Sequence, residues 1–168
     1  KKILFIGIKS KEIANSITKI NKPKGRLQEI GKLKNGSKII VDYAHTPNAL
    51  KNILIASKIH KIKPNLLFGC GGNRDKSKRK IMGLIANKYA AKIYVTDDNP
   101  RNENPKKIRN EIMKGCKNIG RNIGNRSKAI DLAIKELKLN EVLLIAGKGH
   151  ETTQDYGNKK INFSDKKI

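Results

Sequence analysis

The sequence predicts an α/β fold, a doubly wound and mainly parallel sheet flanked by helices, and three observations carry that prediction. Short apolar runs alternate with stretches of helical spacing from Lys38 to Ala146. Each apolar run passes into a polar, Gly-rich or charged loop before the next helical stretch, the rhythm of repeated strand–loop–helix units. The 168 residues are 37% hydrophobic. That is enough to bury one domain's core, and its clustering in compact runs speaks against disorder despite a net charge of +24.

Lys38–Val41 is the first apolar run and ends in Asp42-Tyr43-Ala44-His45-Thr46-Pro47. Asn48–Ile59 then sets Leu50, Ile53, Leu54 and Ser57 at helical spacing. Leu66–Phe68 is the next strand and runs into Gly69-Cys70-Gly71-Gly72. Ser77–Ala90 reads as a helix with Ile81, Leu84, Ile85 and Lys88 on one side. Lys92–Thr96 is a third strand, ending in Asp97-Asp98-Asn99-Pro100-Arg101. A helix from Pro105 to Cys116 has Pro in its first turn. A weak strand follows near Asn118–Ile123, and Ser127 is the expected cap of a helix over Lys128–Leu137. Glu141–Ala146 is the strongest strand and leads into Gly147-Lys148-Gly149-His150-Glu151. Gln154–Phe163 reads as a hairpin turning at Gly157-Asn158. The whole is Rossmann-like.

Residues 1–24 stand outside this rhythm. Ser10–Ile20 carries Ile13, Ile17 and Ile20 on one face of an amphipathic helix, which Lys22-Pro23-Lys24-Gly25 breaks. We expect 1–24 to be the closing helix and linker of an upstream domain and 25–168 to be the main domain. With no Met at position 1, the chain reads as a fragment.

Composition narrows the function classes. Lys occurs 31 times, Ile 25 and Asn 18, against 7 Arg and only seven Phe or Tyr. The lysines are spread along the chain, whereas a nucleic-acid surface concentrates Lys and Arg and interleaves aromatics for stacking. Joint enrichment of Lys, Ile and Asn is what AT-rich codons produce, so no specific nucleic-acid partner is expected; this charge gives only weak, salt-sensitive binding. No apolar stretch reaches the length of a membrane span, and Ile3–Ile8 is too short for a signal peptide. No membrane partner and a cytoplasmic location are therefore expected. Cys70 and Cys116 make neither a disulfide framework nor a zinc site. Cys70 reads as a packed thiol.

In a parallel α/β sheet, ligands sit beyond the carboxyl ends of the strands. Four loops, Asp42–Pro47, Gly69–Arg79, Asp97–Arg101 and Gly147–Glu151, would share that edge. The Gly-rich loop lets backbone N–H groups approach a ligand, and Arg74, Lys76, Lys78 and Arg79 supply cations for phosphate or carboxylate. No G-x-x-x-x-G-K-[ST] phosphate loop is present. Asn99 and Arg101 offer an amide and a guanidinium fork to an amino acid's polar ends, with Pro100 stiffening the loop between them. Glu151 can accept from a ligand ammonium, and His150 reads as a structural hydrogen-bonder. Asp42 can orient His45 or contact a ribose. Nothing resembles a Ser-His-Asp arrangement or a metal-ligand cluster, so no catalytic and no metal residue is assigned.

Five motifs occur in order: Gly25-Arg26-Leu27-Gln28, Asp42-Tyr43-Ala44-His45-Thr46-Pro47, Phe68-Gly69-Cys70-Gly71-Gly72-Asn73-Arg74-Asp75-Lys76, Thr96-Asp97-Asp98-Asn99-Pro100-Arg101 and Ala146-Gly147-Lys148-Gly149-His150-Glu151. Together they closely resemble the C-terminal domain of the Mur ligases of peptidoglycan synthesis, over about residues 25–165. Within that family, Asp98-Asn99-Pro100-Arg101 is similar to the signature of the diaminopimelate-adding branch, and lysine-adding relatives depart from it at the Arg.

The resemblance implies that ATP phosphorylates the D-glutamate carboxylate of UDP-N-acetylmuramoyl-L-alanyl-D-glutamate. The amine of meso-2,6-diaminopimelate then attacks the acyl phosphate, giving an amide, ADP and phosphate. It further implies that Arg74, Asp98, Asn99, Pro100, Arg101, Gly147 and Glu151 bind diaminopimelate, and that Arg26, Asp42 and His45 face the nucleotide. ATP and Mg2+ would be held mainly by the family's central domain, which carries the phosphate loop, a carbamylated lysine and the magnesium ligands. UDP recognition would lie in an N-terminal domain, and the chain ends short of the family's final helix. The fragment alone is therefore expected to be inactive. The alternatives are a lysine-adding ligase, a non-catalytic small-molecule domain that keeps the fold, and a basic nucleic-acid-binding module.

Overall fold

The structure is a computed structural model that describes residues 23–58 and 62–168. Its strands are β1 (Gln28–Lys32), β2 (Lys38–Asp42), β3 (Asn65–Phe68), β4 (Ile93–Val95), β5 (Gly120–Asn122) and β6 (Val142–Ala146), followed by the short pair β7 (Thr153–Asp155) and β8 (Lys160–Asn162). The helices are α1 (Pro47–Ala56), α2 (Ser77–Tyr89), α3 (Pro105–Cys116) and α4 (Arg126–Lys135). The main sheet has the order β1-β2-β6-β3-β4-β5. It is parallel except for the β1–β2 edge.

Strand alternation divides the core into two layers. Leu66, Phe68, Ile93, Val95 and Leu144 face α1, α2 and α3, with Leu50, Leu54, Met82 and Ile112 packed against them. Leu67, Tyr94, Leu143 and Ile145 face α4 and its Ala129, Ile130 and Ala133. Every residue of β3, β4 and β6 is buried, which is why these strands read as unbroken apolar runs rather than as alternation. Each large aliphatic side chain buried in this way contributes roughly 1.5–3 kcal/mol.

Helix starts follow local chemistry. The Thr46 hydroxyl accepts from the Ala49 N–H at 3.3 Å and Pro47 occupies the first turn of α1. Asn104 caps α3 through Lys107. At α4 the expected cap is displaced: Asn125, not Ser127, accepts from the Lys128 N–H at 3.0 Å, so the helix begins two residues early and Arg126 falls inside it.

Two further expectations change. β1 is absent from the sequence reading, and it pairs with β2 through a bulge between Glu29 and Gly31. The face of α2 is also different, because Ile81 and Leu84 are exposed while Arg79, Met82, Gly83 and Ala86 are buried. The reason is the close approach of α3. A Cβ on Gly115 would stand 2.3 Å from the Lys80 carbonyl oxygen, so the small residues face inward and the bulky ones are left outside. The expected helix over Ser10–Ile20 lies outside the described residues, and the first main-domain helix ends at Ala56, short of the expected Ile59, with Ser57 as its C-cap. No helix among the described residues is long and apolar enough to cross a membrane.

Candidate functional site

β2, β6, β3 and β4 are neighbours in the sheet, so the loops that follow them meet at one edge. They enclose a cleft of about 570 Å³ lined by His45, Arg74, Asp98, Asn99, Arg101, Gly147 and Glu151 among others. Seven of the ten residues singled out from the sequence thus share one cavity. Pro100, Arg26 and Asp42 do not line it.

The floor of the cleft is an ion cluster. Lys148 is fully buried, and its ammonium donates to Asn99 Oδ1 and Glu151 Oε2, both at 3.0 Å. Asp98 Oδ1 lies 3.7 Å away. Asn99 Nδ2 donates to Glu151 Oε2 at 2.9 Å, and Asn99 Oδ1 also accepts from the Asp155 N–H at 3.0 Å. The sequence assigns Lys148 no role. Its motif was visible, but one lysine among 31 has no contrast.

The Asp97–Arg101 loop is braced by the β7–β8 hairpin. Arg101 has φ +50°, a left-handed backbone that costs a side-chain-bearing residue roughly 1–2 kcal/mol. Its N–H donates to the Asp155 carbonyl at 2.9 Å, and Gln154 Nε2 donates to the Asp97 carbonyl at 3.1 Å. Arg101 Nη1 donates to the Gly72 carbonyl at 2.9 Å. The nearest carboxylate to its guanidinium is Asp155, at 3.9 Å from Nε, so a surface pair of Arg101 with Asp98 does not form. Asp97 pairs with Arg109 and accepts from the Tyr156 hydroxyl at 3.3 Å. Burial raises the Asp97 carboxyl above its ordinary range even so, and burial beside that carboxylate pushes Tyr156 up to about 12.

The Gly-rich loop is pressed against this one. The Gly72 N–H donates to the Asn99 carbonyl at 2.9 Å, and a Cβ on Gly72 would lie 1.8 Å from the Pro100 carbonyl oxygen. Only glycine fits. Beneath the loop, Arg79 is fully buried and pairs with Glu103 at 3.0 Å and Glu111 at 2.8 Å, so it is a brace and not a cation offered to a ligand. Lys76 stands outside the cleft, 3.9 Å from Glu103. Arg74 is exposed and lines the cleft, as does Lys78, whose ammonium donates to the His45 carbonyl at 3.0 Å. Cys70 is the packed thiol expected: it lies 3.7 Å from Met82 Sδ, and burial pushes its pKa up to about 12.

At the other end of the cleft, Asp42 is buried and spends both carboxylate oxygens on backbone, accepting from the Leu27 and Ala44 N–H groups at 2.7 Å each. It does not orient His45, whose Nδ1–H donates instead to the Tyr43 carbonyl at 2.9 Å. Tyr43 organises this corner: the His45 ring meets it edge-on at 4.9 Å, the His150 ring stacks at 5.6 Å, and Arg26 lies over it at 5.5 Å. His150 is therefore a stacking group, and its ring makes no hydrogen bond among the described residues.

Comparison with known proteins adds to this geometry. The family model described as "Mur ligase, glutamate ligase domain" matches residues 25–149. A Rickettsia prowazekii protein named UDP-N-acetylmuramoyl-L-alanyl-D-glutamate–2,6-diaminopimelate ligase is 45% identical over 99% of the chain. An Anaplasma marginale protein of the same name is 49% identical over 89% of it. The chain spans about a third of the length of these curated relatives, 35% and 31%. A solved structure of a ligase of that name, 31% identical, superposes with a TM-score of 0.75 over 95% of the chain and 33% of its own. Folylpolyglutamate synthase from Mycobacterium tuberculosis, 16% identical, shares the fold at a TM-score of 0.63 over 85% of the chain and 34% of its own. This chain belongs to the Mur ligase family.

Proposed function

We propose that the chain is the amino-acid-binding C-terminal part of an ATP-dependent ligase that joins meso-2,6-diaminopimelate to UDP-N-acetylmuramoyl-L-alanyl-D-glutamate in the cytoplasm. Residues 25–168 form that domain, and 1–24 are the end of an upstream ATP-binding domain. The observation that carries the reading is the pairing within one cleft of an amide and a carboxylate, Asn99 and Glu151, with the guanidinium groups of Arg101 and Arg74. An amino acid with two zwitterionic ends needs such a set: acceptors for ammonium, and forked cations for carboxylate. Relatives of that name, matched over 99% and 89% of the chain, support the assignment.

In this reading Glu151 and Asn99 hold one end of diaminopimelate while Arg101 reads the distal carboxylate that lysine lacks. The free amine at the other end attacks the glutamyl phosphate. A C–N bond forms, the C–O bond to phosphate breaks, and the amine gives up a proton. The exposed Arg26–Tyr43–His45 corner fits the edge of a nucleotide base or ribose, the part of ATP assigned to this domain. Asp42 supports that corner from behind by fixing the Leu27 and Ala44 amides. In this reading the upstream central domain is the main holder of Mg2+ and of the ATP phosphates; no group of three or more His, Cys, Asp or Glu converges among the described residues of this chain.

The test is ADP release by the full-length protein with the UDP-muramoyl dipeptide and either diaminopimelate or lysine. Release that depends on diaminopimelate is expected, with none from residues 25–168 alone. Equal use of lysine, or turnover by the isolated chain, refutes the proposal.

A further inference from the structure

The geometry points to Lys148 as the positioning residue of the cleft: it sets which atoms Asn99 and Glu151 present to the amino acid, without touching the ligand itself. This inference rests on the cleft being the diaminopimelate site.

The side chain of Lys148 is fully buried, so its ammonium is not a contact for a molecule in the cleft. It can act only through its neighbours, and it has three: Asn99 Oδ1 and Glu151 Oε2 at 3.0 Å, and Asp98 Oδ1 at 3.7 Å. An ammonium is a pure donor, and so is the Asp155 backbone N–H that meets the same Asn99 oxygen at 3.0 Å. Two donors on one side determine the amide's orientation. Asn99 must turn its oxygen down to Lys148 and its Nδ2 toward Glu151 and the cleft. One N–H of that Nδ2 is taken by Glu151 at 2.9 Å, which leaves the second for a ligand oxygen. In the same way Lys148 and Asn99 both engage Oε2 of Glu151, leaving Oε1 as the acceptor for a ligand ammonium. The floor thus offers one donor beside one acceptor, the pattern needed by an α-amino acid end.

Charge gives the second part of the argument. Lys148, Asp98 and Glu151 sum to one net negative charge around a buried cation, which favours a ligand ammonium over a second carboxylate at this end. Without Lys148, Asn99 has no reason to keep its amide orientation beyond one backbone N–H. Two carboxylates would then face each other with no cation between them.

The test uses the full-length ligase and five variants: Lys148→Met, Asn99→Ala, the double variant, Asp98→Asn, and Lys148→Met combined with Asp98→Asn. The last removes equal and opposite charges and so keeps the cluster's single net negative charge; read against Asp98→Asn alone, because Asp98 also lines the cleft, it reports on positioning if Lys148→Met alone fails to fold. Lys148→Met, or its charge-balanced form, should raise KM for diaminopimelate by about 10- to 100-fold, the range of a lost charge-assisted contact. KM for ATP should stay within about twofold, because ATP does not use this floor. The double variant with Asn99→Ala should be no worse than the more severe single one, since both remove the same contact. A raised KM in Asn99→Ala with an unchanged KM in the Lys148 variants overturns the positioning role alone. Multiplying losses in the double variant, or equal rises in KM for ATP and diaminopimelate, overturn it too. An unchanged KM in Asn99→Ala removes the cleft assignment on which the inference stands.

Discussion

Under the function proposed above, Arg101→Ala in the full-length protein should collapse its discrimination between diaminopimelate and lysine. The Arg101 side chain is 29% exposed, so its guanidinium sits at the cleft wall, partly shielded. One nitrogen is committed, since Nη1 donates to the Gly72 carbonyl at 2.9 Å, and the nearest acid, Asp155, is 3.9 Å from Nε, too far for a hydrogen bond. Nη2 makes no hydrogen bond among the described residues and is available to a ligand carboxylate. A charge-assisted contact of that kind is worth roughly 1.5–3 kcal/mol. At ~1.4 kcal/mol per tenfold, kcat/KM for diaminopimelate should fall by about one to two orders of magnitude.

Lysine has no distal carboxylate and should lose far less, so the ratio of the two kcat/KM values is the readout. Arg101→Lys should rescue only in part, because an ammonium keeps the charge and loses the planar fork. The competing role is visible in the structure: through Gly72, Arg101 ties the Gly-rich loop to its own. If that tie were its whole contribution, both substrates would suffer in proportion. Equal proportional losses would therefore refute the ligand-reading role. The Asp155 contact does not alter the arithmetic, since a partly exposed pair at that distance contributes ~0–1 kcal/mol.

Three further outcomes follow from the braces around the cleft. Gly72→Ala places a methyl group where the Pro100 carbonyl stands 1.8 Å away; it should cost about 1–3 kcal/mol in thermal unfolding and weaken diaminopimelate binding, and an unchanged melting temperature would count against the packing described. Asp165→Asn breaks a fully buried bidentate pair with Arg126, at 2.7 and 2.9 Å; a loss of roughly 3–5 kcal/mol by urea denaturation is expected, and an unmoved midpoint would refute it. Hydrogen bonds from Arg79, and then from the Asn73 N–H, hold the Glu103 carboxyl below its ordinary value of 4.5. Its contribution to stability is therefore present above that value and is lost as pH falls through the lowered one. Glu103→Gln should flatten the acid limb of the melting curve, and an identical limb in both proteins would disprove the linkage.

Much of this architecture is legible before any coordinates, for reasons that differ from element to element. β3, β4 and β6 announce themselves because strands buried on both faces have no polar alternation to disguise them. The four loops stand out because glycine, proline and charge interrupt those runs. β1 is hidden, since Gln28–Lys32 is a half-exposed edge strand with a bulge and its residues look like a linker. The available signal is Asn35-Gly36, a turn dipeptide between β1 and β2. The face of α2 is misread because counting bulky apolar residues ignores what Gly83 and Gly115 demand of the helix pair. The residues that line the cleft lie in visible motifs, whereas their supports are non-local. Arg126 meets Asp165 across 39 residues, and Asn99 meets Glu151 across 52. Nothing in local spacing encodes those partners.

The charge imbalance itself separates surface from site. Only 14 residues are acidic against 38 basic, and nearly every described acid has a structural task. Asp42 fixes two amides, Asp98 and Glu151 hold Lys148, Glu103 and Glu111 hold Arg79, Asp97 meets Arg109, and Asp165 meets Arg126. Glu136 serves Tyr94 and Arg121 at the far side of the sheet. The lysines behave differently. Among the described residues only Lys38, Lys76, Lys92 and Lys148 form ion pairs, and only Lys148 is buried. A solvated lysine adds little to stability or specificity, so a coding bias can spread such residues over the surface without disturbing the fold. An acid whose oxygens are each bonded cannot drift in that way, because its loss leaves a buried donor or cation unpaired. In a chain so rich in lysine, the informative charges are therefore the rare acids and the cations they hold. Apart from Glu136 and its partners, these charges line or brace the loops of one cleft, whereas the surplus behind the net charge of +24 is spread along the chain.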